Sequence, residues 1–137
     1  MGAALMKSRY EIVQPVIEAE LAKVYSYGVS DCFFLGCRVA DTLSGTSMCE
    51  TYKGRYRTLA GAQRTLRREG HTSLVTFFSA HLEPCAPAAA RLGDIAIIQL
   101  GDAEHVGVCV GSKFLTKTET GASFHDVSRV KAAFLAG

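Results

Sequence analysis

The spacing of apolar residues changes character part-way along this chain. Over residues 9–24, Tyr10, Val13, Ile17, Leu21 and Val24 recur every three or four positions. That spacing predicts an amphipathic helix with Glu11, Glu18, Glu20 and Lys23 turned outward. Pro15 interrupts it, so the helix is expected to begin near Gln14, with the proline in its first turn. A second helix is expected over residues 32–43, with Phe33, Phe34, Cys37, Ala40 and Leu43 on its buried side and Gly45 as its stop. Gly28, Ser30 and Asp31 before it are turn and N-cap formers. Residues 46–57 read as irregular. A third helix is expected from the N-cap Thr58 through Leu59, Ala62 and Leu66 to Glu69, ended by Gly70. Ser73 caps a fourth that covers Leu74, Val75, Phe77, Phe78 and Leu82.

Pro84 and Pro87 end the helical part, and after Gly93-Asp94 the texture is different. Residues 95–98 and 106–110 are short, apolar and β-branched, with Gly101-Asp102 as a turn between them, and predict strands of a buried sheet. Residues 113–117 and 123–127 are weaker strand candidates separated by Gly121, and residues 130–135 form a closing helix or an edge segment. Helices first and an antiparallel sheet afterwards make an α+β domain. At 137 residues the chain is expected to form one domain, residues 1–137, with a core of its own.

Composition narrows the class of partner. Fifteen Lys and Arg against thirteen Asp and Glu leave a net charge of +2, too little to point to nucleic acid or a membrane surface. The run Lys53, Arg55, Arg57, Arg64, Arg67 and Arg68, interleaved with Tyr52 and Tyr56, has the mixture of cations and aromatics found in single-strand binders, but Glu50 and Glu69 dilute it. Most such runs are solvated faces; no nucleic-acid partner is expected, and of the two binding readings a surface for an acidic protein is the better. No apolar stretch reaches the roughly 20 residues of a membrane span. Five cysteines with irregular spacing, and a start without a basic region and long apolar run, predict synthesis in the cytoplasm without a signal peptide.

The candidate chemistry centres on Cys32. In the first turn of a helix capped by Asp31, unpaired N–H groups and the positive end of the helix dipole are expected to favour the thiolate, the attacking form. The competing reading is a packed core cysteine. A nucleophilic thiol needs a base, and His105 is the best placed of four histidines, between Asp102-Ala103-Glu104 and the apolar run after it. His71 follows the Gly70 helix stop, and His81 and His125 lie in ordinary amphipathic patterns. Metal is not expected: Cys32 and Cys37, or His81 and Cys85, are single pairs without a second close pair to complete a tetrahedral site. No phosphate-cradling loop and no cofactor motif is present.

Taken in order, Tyr25-Ser26-Tyr27-Gly28, Asp31-Cys32, Gly93-Asp94-Ile95-Ala96 and His105-Val106-Gly107-Val108-Cys109-Val110-Gly111 resemble the motifs of NlpC-type cell-wall cysteine peptidases, which have a papain-like fold. The chain resembles still more closely a family of small uncharacterised phage and prophage proteins of that superfamily, through Tyr27-Gly28, Asp31-Cys32, the segment Tyr52-Lys53-Gly54-Arg55-Tyr56-Arg57-Thr58 with Gly61-Ala62, and Gly93-Asp94. The resemblance implies a thiol hydrolase that cleaves amide bonds in peptidoglycan stem peptides or other peptides, with Cys32 as nucleophile, His105 as general base and Tyr25 beside the oxyanion. It places the third catalytic residue near Thr116 or Lys117, of which threonine can accept from an imidazole N–H and protonated lysine cannot. Phe33 and Phe34 stand where such enzymes carry serine and glycine. The alternative it carries is a catalytically inactive papain-like domain in phage tail assembly or a binding module, with phage tail proteins as partners and a place in the virion.

Overall fold

Ser8 decides where the first helix begins. The computed structural model of the protein describes residues 7–137; residues 1–6, on which the reading of a missing signal partly rests, lie outside them. The Ser8 hydroxyl accepts from the Glu11 N–H at 3.1 Å and the Glu11 carboxylate accepts from the Ser8 N–H at 3.0 Å, a reciprocal cap. Helix α1 therefore spans Arg9–Ala22 instead of starting near Gln14, and Pro15 lies inside it. The proline is tolerated because it and Glu11, whose carbonyl it leaves without an amide partner, are both exposed to water. Val13, Ile17 and Glu20 form the buried side, whereas Tyr10 and Val24 are exposed, contrary to the pattern. Glu20 is buried because Lys23 pairs with its carboxylate and Arg38 Nε stands 3.6 Å away.

Helix α2 spans Cys32–Ser44 and ends at Gly45 in the left-handed region, as expected. The stretch that reads as irregular contains a further short helix, α3, at Met48–Tyr52. Its cap comes from another element: the Asp41 carboxylate of α2 accepts from the Met48 and Cys49 N–H groups at 2.9 Å each. Thr58 and Ser73 cap α4 (Leu59–Arg68) and α5 (Leu74–Ser79); α5 stops short of Leu82.

Six strands come after the helices: β1 (Glu83–Cys85), β2 (Ile95–Leu100), β3 (Ala103–Cys109), β4 (Phe114–Thr118), β5 (Gly121–His125) and β6 (Val130–Leu135). They form one sheet in the order β1-β6-β2-β3-β4-β5, antiparallel at every junction. The protein is thus α+β, with its helices N-terminal and its sheet C-terminal. The closing segment is neither a helix nor an edge: β6 lies inside the sheet between β1 and β2, where Ala133 and Phe134 are buried. The edge on that side is β1, where Pro84 lies in a mostly exposed three-residue strand, and β5 is the other edge. Among the described residues no helix is long and apolar enough to cross a membrane.

Two packing details fix the helices on the sheet. A Cβ on Gly36 of α2 would come within 2.4 Å of Val106 Cγ1, so glycine is what lets α2 lie directly on β3. Cys32 is one turn earlier on the same side of that helix. The second detail is Asp94, fully buried after Gly93. Its carboxylate accepts from Arg9 at 2.7 Å, the Arg91 N–H at 2.8 Å and the Ala136 N–H at 3.0 Å, tying the start of α1 to the end of β6. Gly93-Asp94 is accordingly a structural knot, and neither residue lines the cavity beside Cys32.

Candidate active site

The loop before α2 is built to deliver Cys32. Ser26 and Ser30 pair across a tight turn, N–H to carbonyl in both directions at 3.0 and 2.8 Å, with Gly28 at φ +83°. The Asp31 carboxylate is buried and accepts three hydrogen bonds: from the Phe34 N–H and the Gly28 N–H at 3.0 Å each, and from the Tyr56 hydroxyl at 2.6 Å. The Gly54 N–H donates to the Gly28 carbonyl at 2.9 Å. The segment around Gly54 and Tyr56 is therefore the clamp that holds the cysteine loop, a role its basic and aromatic composition does not reveal. Only the repeated tyrosines around a glycine offer a signal. Its cations face solvent, and Arg55 lies over the Tyr52 ring at 5.5 Å.

Cys32 is half-buried against the sheet, at a place where two strands part. Strands β3 and β4 are paired only at Gly107–Thr116, Val108–Leu115 and Cys109–Phe114, so residues 103–106 of β3 run on without a partner on that side. The Val106 N–H thus faces the thiol of Cys32, and the Thr116 hydroxyl lies beside it while donating to the Val106 carbonyl at 2.6 Å. His105 is the residue before Val106, the third of its strand and not at its mouth. Cys32, His105 and Tyr25 all line one cavity of about 770 Å³, bounded by α4 and the start of α5 on one side and by the β2–β3 hairpin on the other. Two residues 73 positions apart in sequence thereby border one cleft, although alternation along β3, where His105 pairs with Ile98, turns the imidazole to the strand face opposite to Val106. Glu104 closes its far end, accepting from the Leu74 N–H at 2.9 Å and pairing with Lys131 at 2.8 Å.

The remaining candidates divide by strand face. Thr116 is fully buried behind the sulfur, and among the described residues no hydrogen bond joins it to His105. Lys117 points the other way, its ammonium donating to the Glu20 carbonyl at 2.6 Å and to Ser30 Oγ at 2.7 Å, so it braces the loop and does not face the imidazole. His125, two residues beyond Ser123 on β5, shares the strand face of His105; Ser123 Oγ is 2.6 Å from its Nε2. His71 meets the Phe77 ring edge to face and His81 stacks on it. Among the described residues no three of His, Cys, Asp and Glu gather as a metal ion would require.

The electrostatics differ from the expectation of a thiolate. Burial, and then the charge of Asp31, push the Cys32 thiol up to about 11, against smaller opposite effects of the Val106 N–H and the Thr116 hydroxyl. Burial, and then the neighbouring His125, hold His105 below the usual imidazole range. The resting pair at neutral pH is a thiol and a neutral imidazole. Burial and the nearby Cys32 and Asp31 push Tyr25 upward, so it keeps its proton, and its oxygen lies by the Cys32 N–H.

The family model described as Domain of unknown function (DUF6950) matches residues 7–136. The chain belongs to this family. No curated protein and no solved structure matches it. The match to the DUF6950 family runs from the start of α1 to the end of β6, so the cysteine loop, its clamp and the histidine strand all lie within the family's own domain.

The charge state of this DUF6950 site is directly measurable. With the thiol protonated up to about pH 11, iodoacetamide should label Cys32 at pH 7 about two orders of magnitude more slowly than free cysteine. The rate should climb close to tenfold per pH unit through pH 9 and level off only near pH 11. Peptide mapping across a pH series checks this, and a plateau already present at pH 7 would mean that the thiolate is stabilised after all.

Proposed function

We propose that the protein is a thiol hydrolase that cleaves an amide bond, with Cys32 as nucleophile and His105 as general base, in a papain-like domain of the NlpC type. The observation that carries this reading is the meeting of the N-terminus of α2 with β3: the Val106 N–H faces the sulfur, and the preceding His105 shares the cavity with it. Helices leading into an antiparallel sheet, with the thiol on the one and the imidazole on the other, agree with the motif resemblance.

In this mechanism His105 takes the proton from Cys32 Sγ as the sulfur attacks the carbonyl carbon, forming a C–S bond and a tetrahedral oxyanion. The protonated Tyr25 hydroxyl and the Cys32 N–H donate to that oxygen. The imidazolium returns the proton to the leaving nitrogen, the C–N bond breaks, and an acyl thioester remains on Cys32. Water, deprotonated by His105, then releases the acid and restores the thiol. A resting thiol near 11 is compatible with this order, because the proton leaves during attack. Thr116 serves by holding the parted strands at which the sulfur rests. Substrates are peptides, with peptidoglycan stem peptides the class the resemblance implies; delivery by a virion fits a phage origin.

The test is to incubate the protein with muropeptides and short synthetic peptides, separate the products, and quench for intact-mass analysis. New amine and carboxylate termini, together with an acyl adduct mapped to Cys32, are expected. Hydrolysis that continues after Cys32 has been alkylated would remove this mechanism.

A second reading, a catalytically inactive domain that binds partners such as phage tail proteins, draws on one observation: no hydrogen bond orients the His105 ring among the described residues. Thiol labelling that is the same in wild type and His105→Ala, with no turnover of any peptide, favours it.

A further inference from the structure

The cavity over Cys32 has a chemical preference of its own. Helix α4 contributes Leu59, Ala62 and Leu66, spaced at i, i+3 and i+7 and turned into the cavity, yet no residue of α4 is buried and Leu59 is 55% exposed. The same cavity has an aromatic lining: Tyr25 and Tyr27 meet edge to face at 5.3 Å. Both sets of apolar residues thus border the cavity that Cys32 also lines. Each Å² of such surface left in water costs about 25 cal/mol, and a helix with its apolar stripe so poorly covered gains from anything apolar that fills the gap.

The charges around the cavity point the same way. Asp31 is satisfied by three donors, Glu69 is engaged by the Tyr52 hydroxyl with Arg55 at 4.0 Å, and Glu104 by the Leu74 N–H and Lys131. Arg67 and Asp102 are exposed at opposite rims. Among the described residues, the charge beside the sulfur is the Asp31 carboxylate, whose oxygens are already taken by three neutral donors, so none there is free to recognise a carboxylate or an ammonium group on the reacting residue. A volume of about 770 Å³ admits a large side chain together with flanking backbone.

We infer that the site selects a substrate whose acyl-side residue, the one bonded to the scissile carbonyl, carries a large apolar side chain, aromatic or long aliphatic, held by the α4 stripe and the Tyr25–Tyr27 lining. This rests on the reading of Cys32 as the attacking group, and it favours apolar peptides over those whose acyl-side residue is small or charged, the peptidoglycan stem peptides implied by the resemblance among them. It also assigns a task to α4, whose Ala62 and Leu66 pack only partly against the core while the helix borders the cleft.

The experiment compares affinity labels that react with a thiol without needing turnover. Acetyl-phenylalanyl, acetyl-alanyl and acetyl-glutamyl chloromethyl ketones are each reacted with the protein, the adduct is mapped to Cys32, and each rate is divided by the iodoacetamide rate so that changes in thiol reactivity cancel. The phenylalanyl reagent should label at least about tenfold faster than the alanyl one, with the glutamyl reagent slowest. In Leu66→Glu that advantage should fall to about twofold or less; Leu66 packs partly against the core, so circular dichroism checks the fold, and Leu59→Glu, at a position 55% exposed, makes the same test should the first variant unfold. Equal normalised rates, a preference for the glutamyl reagent, or an advantage that survives Leu66→Glu would each overturn the inference. Selective labelling without hydrolysis of any peptide would sink the hydrolase reading and leave the cavity's preference standing. Hydrolysis of muropeptides without apolar selectivity would do the reverse.

Discussion

Cys32→Ser should abolish peptide hydrolysis, with a loss on the order of 10⁴-fold or more, and His105→Ala should lose about 10²- to 10⁴-fold. The serine hydroxyl is close in size and can keep the contact with the Val106 N–H, so the fold should be unchanged. What it lacks is acidity and nucleophilicity: even with an imidazole in the same cavity, an alcohol holds its proton far more tightly than a thiol. The His105 effect is expected to be smaller and dependent on pH. Without the imidazole, only the thiolate can attack, and with the thiol near 11 its fraction at neutral pH is about one in ten thousand. Residual His105→Ala activity should therefore rise with pH toward 10, whereas wild-type activity should level off once His105 is neutral, below the ordinary imidazole range. Product analysis for the three proteins between pH 5 and 10 reads both effects. Matching wild-type and Cys32→Ser turnover would take the sulfur out of the reaction.

Gly28→Ala should cost about 3 kcal/mol of stability, lowering a urea midpoint by more than about 1 M, and should disturb the site along with the fold. At φ +83° an added Cβ is strained in itself, and here it would also meet the Tyr56 carbonyl oxygen at 1.9 Å, an overlap that only backbone movement can relieve. That movement would pull apart the Gly28 contacts with Asp31 and Gly54, which set where α2 begins. Gly54→Ala is the matched control: its φ is +76°, but open space surrounds the position, so only the strain of about 1–2 kcal/mol applies. Urea titrations of both variants, with iodoacetamide labelling of Cys32 beside them, separate the two contributions. If Gly28→Ala cost no more than Gly54→Ala, the Tyr56 contact would not be what holds the loop.

Local signals are enough wherever an element carries its own punctuation. Thr58 and Ser73 cap helices with their own side chains, Gly45 ends α2 because an αL residue suits it, and the β-branched runs after Gly93 form strands. Capping also explains one departure from expectation: Ser8 and Glu11 form a local box that outweighs Pro15, so the proline alone misplaces the helix start. Other departures come from partners far along the chain. Helix α3 is capped by Asp41 of α2 instead of by its own neighbour Ser47, and Glu20 is buried because Lys23 and Arg38 meet it. Strand β6 is ambiguous in isolation, since Val130-Lys131-Ala132-Ala133-Phe134-Leu135 fits helix or strand, and only the gap between β1 and β2 makes it an interior strand.

The same division runs through the candidate site. An N-capped cysteine opening an apolar helix, and a histidine entering a β-branched run, are features of short windows, because dihedral preference and side-chain period act over a few residues. Whether that sulfur and that imidazole share a cleft depends on contacts between residues far apart. Gly36 lets α2 settle on β3, β3 outruns β4 so that the Val106 N–H is free for the thiol, and Tyr56 pins Asp31. The acidity of Cys32 is decided at that level as well. The helix start favours a thiolate, but desolvation and the buried Asp31 charge outweigh it, and burial is a property of the packed chain that no local stretch of residues contains.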